Sequence, residues 1–245
     1  MRLNLPTPAS ALAIAAHPDD AEFGAGGTLA KWAADGCTIH HLVCTDGSKG
    51  SWDPAADTLE LISTRQDEQR AASRALGGTD ASRVVFLDNL DGELQSGLAA
   101  RRDVARVIRE LRPDVVLAHD PWRPYRLHPD HRHAGLLAVD GIVAARDPHF
   151  HPELGLEHWR PSTLLLFEAA NVDHMEDVTA TIDRKLAALW CHTSQLRSTM
   201  GVAIGADDEP QRRAAFERRE RDRSAVFGRQ VGLAFAEGFK RIDEL

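Results

Sequence analysis

The sequence has three cysteines, a single tyrosine, no long apolar run and no excess of basic charge, and each shortage removes a class of protein. Cys37, Cys44 and Cys191 form no C-x-x-C pair and leave an odd number, so neither a disulfide framework nor a thiolate zinc site is indicated. Cys44 falls in a candidate buried strand, where a thiol acts as a small apolar side chain. A membrane-spanning helix needs about 18 or more consecutive apolar residues, and no segment approaches that. The N-terminal MRLNLPTPAS lacks the apolar core of a secretory signal, and ALAIAA after it is short and runs into charge. A cytoplasmic location is expected. Lys and Arg number 29 against 37 Asp and Glu, a formal charge of -8. That balance argues against nucleic acid or an anionic membrane surface and favours a small, weakly charged substrate.

What is present is a chain of 245 residues, ordinary in apolar and charged content, with twelve unevenly placed histidines. One domain spanning residues 1–245 is expected. Short β-rich runs alternate with longer stretches of helical periodicity, the pattern of βαβ units in an α/β, Rossmann-like three-layer fold with a mostly parallel sheet. Strands are expected at Ala11–Ala16, Thr38–Thr45, Arg83–Leu87, Val115–Ala118 and Thr163–Glu168. Helices are expected near Thr28–Asp35, Thr58–Leu76, Leu98–Leu111, Asp130–Ala145 and Val178–Thr193. Residues 195–210, with Gly201, Gly205 and Asp207-Asp208, read as a loop long enough to be a lid or a mobile surface segment. The arginines and acids of Gln211–Arg223 read as a solvated helix.

Ligands in such sheets bind beyond the carboxyl ends of the strands, which directs attention to the polar residues there. His17, Asp19 and Asp20 follow the first expected strand, Thr45 and Asp46 the second, Asp88 and Asn89 the third, and His119 and Asp120 the fourth. HPDD, His17 to Asp20, holds an imidazole and a carboxylate three residues apart on a turn stiffened by Pro18, so both can face one ion. HPDH, His128 to His131, also precedes a helix and supplies another imidazole, completing a 2-His-1-carboxylate set. Three protein ligands on a divalent ion leave room for water, and zinc lowers the pKa of such water to about 7. Asp19 would then be free to accept a proton, and a spare histidine to stabilise an oxyanion or protonate a leaving amine. Taken singly, each motif also reads as a helix cap with surface polar groups; the pair is harder to explain so.

Together AHPDDAE at Ala16 to Glu22, Gly26-Gly27, TDGSKG at Thr45 to Gly50 and HPDH make the chain resemble the PIG-L or LmbE-like family of metal-dependent N-deacetylases. The resemblance runs over at least Ala11 to Ala145 and implies a Rossmann-like fold. It implies zinc, with Fe2+ or another divalent metal as the alternative, held by His17, Asp20 and His131. Asp19 would be the general base toward zinc-bound water, His128 the oxyanion stabiliser or acid, and Asp130 the partner that sets a histidine's tautomer. Arg65 matches an arginine that would orient Asp19 or the substrate; read on its own, it could equally be an exposed helix residue paired with Asp67 or Glu68. The implied reaction removes acetate from an N-acetylated amino sugar or conjugate, and the family's habit of association admits a homo-oligomer. Some members carry a tyrosine two residues before HPDH, whereas Tyr125 stands three before it. CHTSQ, with His192 and Gln195, resembles a C-terminal family element.

Three rival readings are weighed against this. Gly24, Gly26 and Gly27 after the first strand suggest a dinucleotide loop, but Leu29 occupies the place of its third glycine. A 2-His-1-carboxylate iron oxygenase is disfavoured because such enzymes are often all-β barrels. A non-catalytic binding module has no use for both Asp19 and His128.

Overall fold

Residues of the ALAIAA run face two buried sides in turn. Leu12 and Ile14 pack with Leu42, Val104, Ile108 and Leu137, while Ala11 and Ala13 pack with Leu29, Trp32, Leu76 and Leu117. Only a strand covered by helices on both faces satisfies that pattern. The computed structural model describes residues 1–245. Its order is β1 (Arg2–Leu3), β2 (Ser10–Ala15), α1 (Asp20–Ala34), β3 (Thr38–Thr45), α2 (Thr58–Leu76), β4 (Val84–Asn89), α3 (Leu98–Leu111), β5 (Val115–His119), α4 (Pro129–Arg146), β6 (Thr163–Phe167), β7 (His174–Asp177), α5 (Ile182–Leu189), α6 (Glu209–Gln230) and β8 (Ala236–Asp243).

The eight strands form one sheet in the order β1-β7-β8-β6-β5-β2-β3-β4. All pairs are parallel except those of β8, which runs antiparallel to both β6 and β7. Helices α3 and α4 cover one face, α1, α2 and α5 the other. The chain leaves β2 for β3 on one side and later returns to β5 on the other, so the topological switch point lies between β2 and β5. That is where an open α/β sheet forms its ligand crevice.

Five expected strands and most helices lie where the periodicity places them. Three further strands, β1, β7 and β8, carry no clear sequence signal, being short or holding as many charged as apolar residues. The helix expected near Thr28 instead begins at Asp20, so HPDD opens it directly. Its glycines hid that start, and packing explains them. A Cβ on Gly24 would overlap the Phe167 ring, one on Gly26 would lie 3.1 Å from Lys185, and one on Gly27 would lie 2.8 Å from Val178. These glycines therefore serve close packing inside a helix, not a phosphate-binding loop. The helix expected over Val178–Thr193 is shorter, Ile182–Leu189, and His192 lies in the turn after it. The helix expected from Gln211 extends over Glu209–Gln230, with Pro210 in its first turn, where a missing N–H costs nothing. Within residues 195–210, Leu196, Met200 and Val202 pack with Leu186, Leu189 and Phe216, and Ile204 is exposed.

A buried ion pair straddles α1. Gly27 N and Thr28 N donate to the Glu237 carboxylate at 3.0 and 2.8 Å, and Thr28 Oγ1 donates at 2.7 Å. Lys185 Nζ donates to Glu237 at 2.7 Å and to the Phe23 carbonyl at 2.8 Å. Side chains from α5 and β8 thus bond backbone groups in the middle of the helix whose first residue is Asp20.

Candidate active site

The HPDD turn leaves β2 at the switch point. Asp20 Oδ2 accepts the His17 backbone N–H at 2.7 Å, closing the turn. Between them Asp19 takes the left-handed conformation, φ 98 and ψ -26, rare for a residue with a side chain. Arg65, from α2, is only 3% exposed. Its Nη1 donates to the Gly47 carbonyl at 2.9 Å, its Nη2 donates to the Pro18 carbonyl at 2.8 Å, and Nη2 lies 3.7 Å from Asp19 Oδ2. The exposed-helix alternative for Arg65 is thereby excluded: Asp67 pairs with Arg70, and Glu68 accepts from Thr193 and Ser194.

The HPDH motif arrives from the adjacent strand β5 and opens α4 with Pro129 in its first turn. His131 Nε2 lies 3.2 Å from Asp20 Oδ1, and His17 Nδ1 lies 3.2 Å from Asp20 Oδ2. The structure therefore brings His17, Asp20 and His131 together, one ligand atom from each within 4.8 Å of the others. The His128 ring centroid is 4.7 Å from that of His17 and 4.7 Å from that of His131. Asp130, fully buried, accepts from Gly92 N at 2.6 Å and Leu94 N at 3.2 Å and faces His17 Nε2 at 3.2 Å. Its histidine partner is His17.

Further polar residues join this cluster that the sequence reading leaves without a role. Asp91 Oδ1 lies 3.2 Å from His17 Nε2. His119, at the end of β5, places Nε2 3.3 Å from Asp20 Oδ2 and Nδ1 3.4 Å from Glu168. Arg126 donates to Glu168 at 2.7 Å. Position at a strand end singles out His119; the DG turn just after β4 is the only local hint of Asp91. Tyr125, 97% exposed, points away from the cluster, and Arg126 is the loop residue that turns inward.

Burial and charge act against each other here. Burial pushes the Asp19 carboxyl up to about 6, against the pull of Arg65. For Asp20 burial acts in the same direction, but His131 and His119 outweigh it and hold the group well below the usual carboxylate range. Burial disfavours a charged His17, yet hydrogen bonds to Asp130, Asp20 and Asp91 raise its pKa well above the ordinary imidazole value. Three carboxylates thus converge on one ring, a concentration of negative charge that a divalent cation would balance. Two imidazoles and a carboxylate suit zinc or Fe2+, so the residues fit a metal centre.

The cluster forms the floor of a cavity of about 870 Å³, within the size range of small-ligand sites. His17, Asp19, Asp20, His128 and His131 line it together with Arg65, and it extends to Gln195, Thr199 and the Glu220–Phe227 stretch of α6.

A family model described as GlcNAc-PI de-N-acetylase (PIG-L) matches residues 12–142. A diacetylchitobiose deacetylase of Thermococcus kodakarensis is 34% identical over 187 residues, covering 75% of this chain and 69% of that protein. A 1D-myo-inositol 2-acetamido-2-deoxy-alpha-D-glucopyranoside deacetylase of Segniliparus rotundus is 30% identical, covering 76% of this chain and 77% of the relative. The structure of an N,N'-diacetylchitobiose deacetylase from Pyrococcus horikoshii, bound to an inhibitor, matches with a TM-score of 0.84 and 30% identity, over 96% of this chain and 84% of that one.

Proposed function

Because this chain belongs to the PIG-L family of deacetylases, hydrolases of amide C–N bonds, we propose that it removes the acetyl group from an N-acetylated amino sugar or its conjugate, with Asp19 as general base. The observation that carries this reading is the convergence of His17, Asp20 and His131 beside Asp19 and His128 on one cavity floor. His17, Asp20 and His131 would hold zinc, or Fe2+ in its place. When bound, such an ion polarises water and the acetamide carbonyl.

The chain's own groups supply the rest. Asp19 has a carboxylate open to the cavity and takes the proton of the attacking water. His128, exposed on the cavity side, donates to the carbonyl oxygen as it becomes an oxyanion, or passes a proton to the departing amine. Asp130 fixes the His17 ring from behind, and Arg65 holds the turn that carries Asp19. Acetate and a free amine leave. The sugar lies along the cavity toward α6, and residues 195–210 form its lid side within one deacetylase unit.

The test is acetate release from N-acetylglucosamine, diacetylchitobiose and other N-acetylglucosaminides by metal-loaded protein, with Asp19→Ala alongside. Acetate from at least one sugar, abolished by Asp19→Ala with metal content retained, is the expected result. No acetate from any of them, or activity indifferent to Asp19→Ala, would sink the proposal.

A further inference from the structure

The carboxylate of Asp19 makes no hydrogen bond within the protein; its nearest cation is Arg65, at 3.7 Å. Its position is therefore set by its backbone, which holds an unusual φ of 98. The peptide unit that defines this φ joins Pro18 to Asp19, and both of its polar ends are held by one face of α2. Arg65 Nη2 donates to the Pro18 carbonyl at 2.8 Å, and the Asp19 N–H donates to Gln69 Oε1 at 3.0 Å. Arg65 and Gln69 are four residues apart, one helical turn, and both are buried.

Gln69 is itself locked. Its Nε2 donates to Glu22 Oε1 at 2.7 Å. A flipped amide would set N–H against the Asp19 N–H and oxygen against the carboxylate, so one orientation alone satisfies both neighbours. Glu22 is fully buried and faces His192 Nε2 at 3.6 Å and His41 Nε2 at 3.5 Å. The CHTSQ element thus packs its histidine behind the carboxylate that orients Gln69.

We propose that Gln69, held by Glu22, is a positioning residue for Asp19: with Arg65 it clamps the Pro18–Asp19 peptide and so aims the Asp19 carboxylate into the cavity. This rests on the reading of Asp19 as general base. Gln69 does not line the cavity, so it acts through the peptide and not on the substrate.

The test compares Gln69→Leu, which cannot accept the Asp19 N–H, with the swap Gln69→Glu/Glu22→Gln, which keeps an acceptor for it and reverses the donor of the side-chain pair. Each is assayed for kcat, KM and metal per chain, and the Asp19 φ is read from a crystal structure. For Gln69→Leu, kcat falls about 10- to 100-fold with KM within about twofold and metal content unchanged, and Asp19 leaves the left-handed region. The swap restores most of kcat and the original φ. Wild-type kcat in Gln69→Leu, an unmoved Asp19, a loss that tracks lost metal, or a swap no better than Gln69→Leu overturns the proposal. Asp19→Asn, run in parallel, separates the two claims. Full activity there overturns the general-base reading, whereas inactivity there with wild-type Gln69→Leu overturns only the clamp.

Discussion

Replacing Glu237 by Gln tests how the middle of α1 is held. In the native protein the Glu237 carboxylate accepts from two backbone N–H groups of α1, from Thr28 Oγ1 and from Lys185 Nζ. A glutamine keeps one acceptor oxygen and turns an NH2 toward a backbone donor. It also leaves the buried Lys185 ammonium without a counter-charge, held only by neutral acceptors such as the Phe23 carbonyl. Breaking a buried pair from one side costs about 3–5 kcal/mol, because a charge is left uncompensated. Against a total stability of about 5–15 kcal/mol that is a large fraction. Lys185→Met should cost less, about 1–2 kcal/mol, since Glu237 would keep three donors from α1 and Thr28. The double variant, having no stranded ammonium, should be more stable than Glu237→Gln alone. Urea unfolding followed by fluorescence of the tryptophans, which include the fully buried Trp32 on the same helix, measures all three. A Glu237→Gln cost under about 1 kcal/mol, or a Lys185→Met cost that exceeds it, would refute the reasoning. Because Asp20 lies about two turns N-terminal on the same helix, Glu237→Gln should also weaken metal retention.

Two other outcomes follow from the site and its surroundings. Asp130→Asn offers one acceptor oxygen where Gly92 N, Leu94 N and His17 Nε2 now meet a carboxylate, so metal affinity should drop about 10- to 100-fold; chelator competition showing unchanged affinity would contradict this. His40 is pushed down to about 4 by burial, with His41 and Arg83 adding to the shift. The unfolded chain therefore binds the extra proton between about pH 6.5 and 4, and stability falls as pH drops through that window. After discounting for solvent screening the loss is about 1–2 kcal/mol. The loss of unfolding free energy between pH 7.5 and pH 5, measured by urea unfolding, should be smaller in His40→Gln by about 1 kcal/mol, and an equal loss in the two proteins would be the contrary result.

How much of this was legible in the sequence depends on what each residue's pattern excludes. The ALAIAA run has few readings other than a doubly covered strand, and β3, α2 and α3 were equally plain because periodicity and breaks agree there. The start of α1 was hidden because glycine weakens a helix reading, and here Phe167, Lys185 and Val178 demand glycine for space. Strand β8 pairs with β6 and β7 through backbone bonds that a sequence such as AEGFKRID does not announce. In the site, HPDD and HPDH can be joined from the sequence alone, since both follow strands that a parallel sheet ends on one edge. The groups behind them cannot. By their own pattern Glu22, Gln69 and His192 look like ordinary polar residues of helices and turns, and Arg65 like one of many helix arginines; only the family resemblance singles out Arg65, the AHPDDAE glutamate and the CHTSQ histidine, and nothing singles out Gln69. Their distinguishing property is burial, which depends on what α1, α2 and the turn after α5 place on top of one another. A buried polar side chain must find partners within the protein. For Gln69 those partners are the backbone of Asp19 and the carboxylate of Glu22. The motif names the groups that would meet the substrate; what keeps them aimed is written in residues whose types are common and whose burial is not.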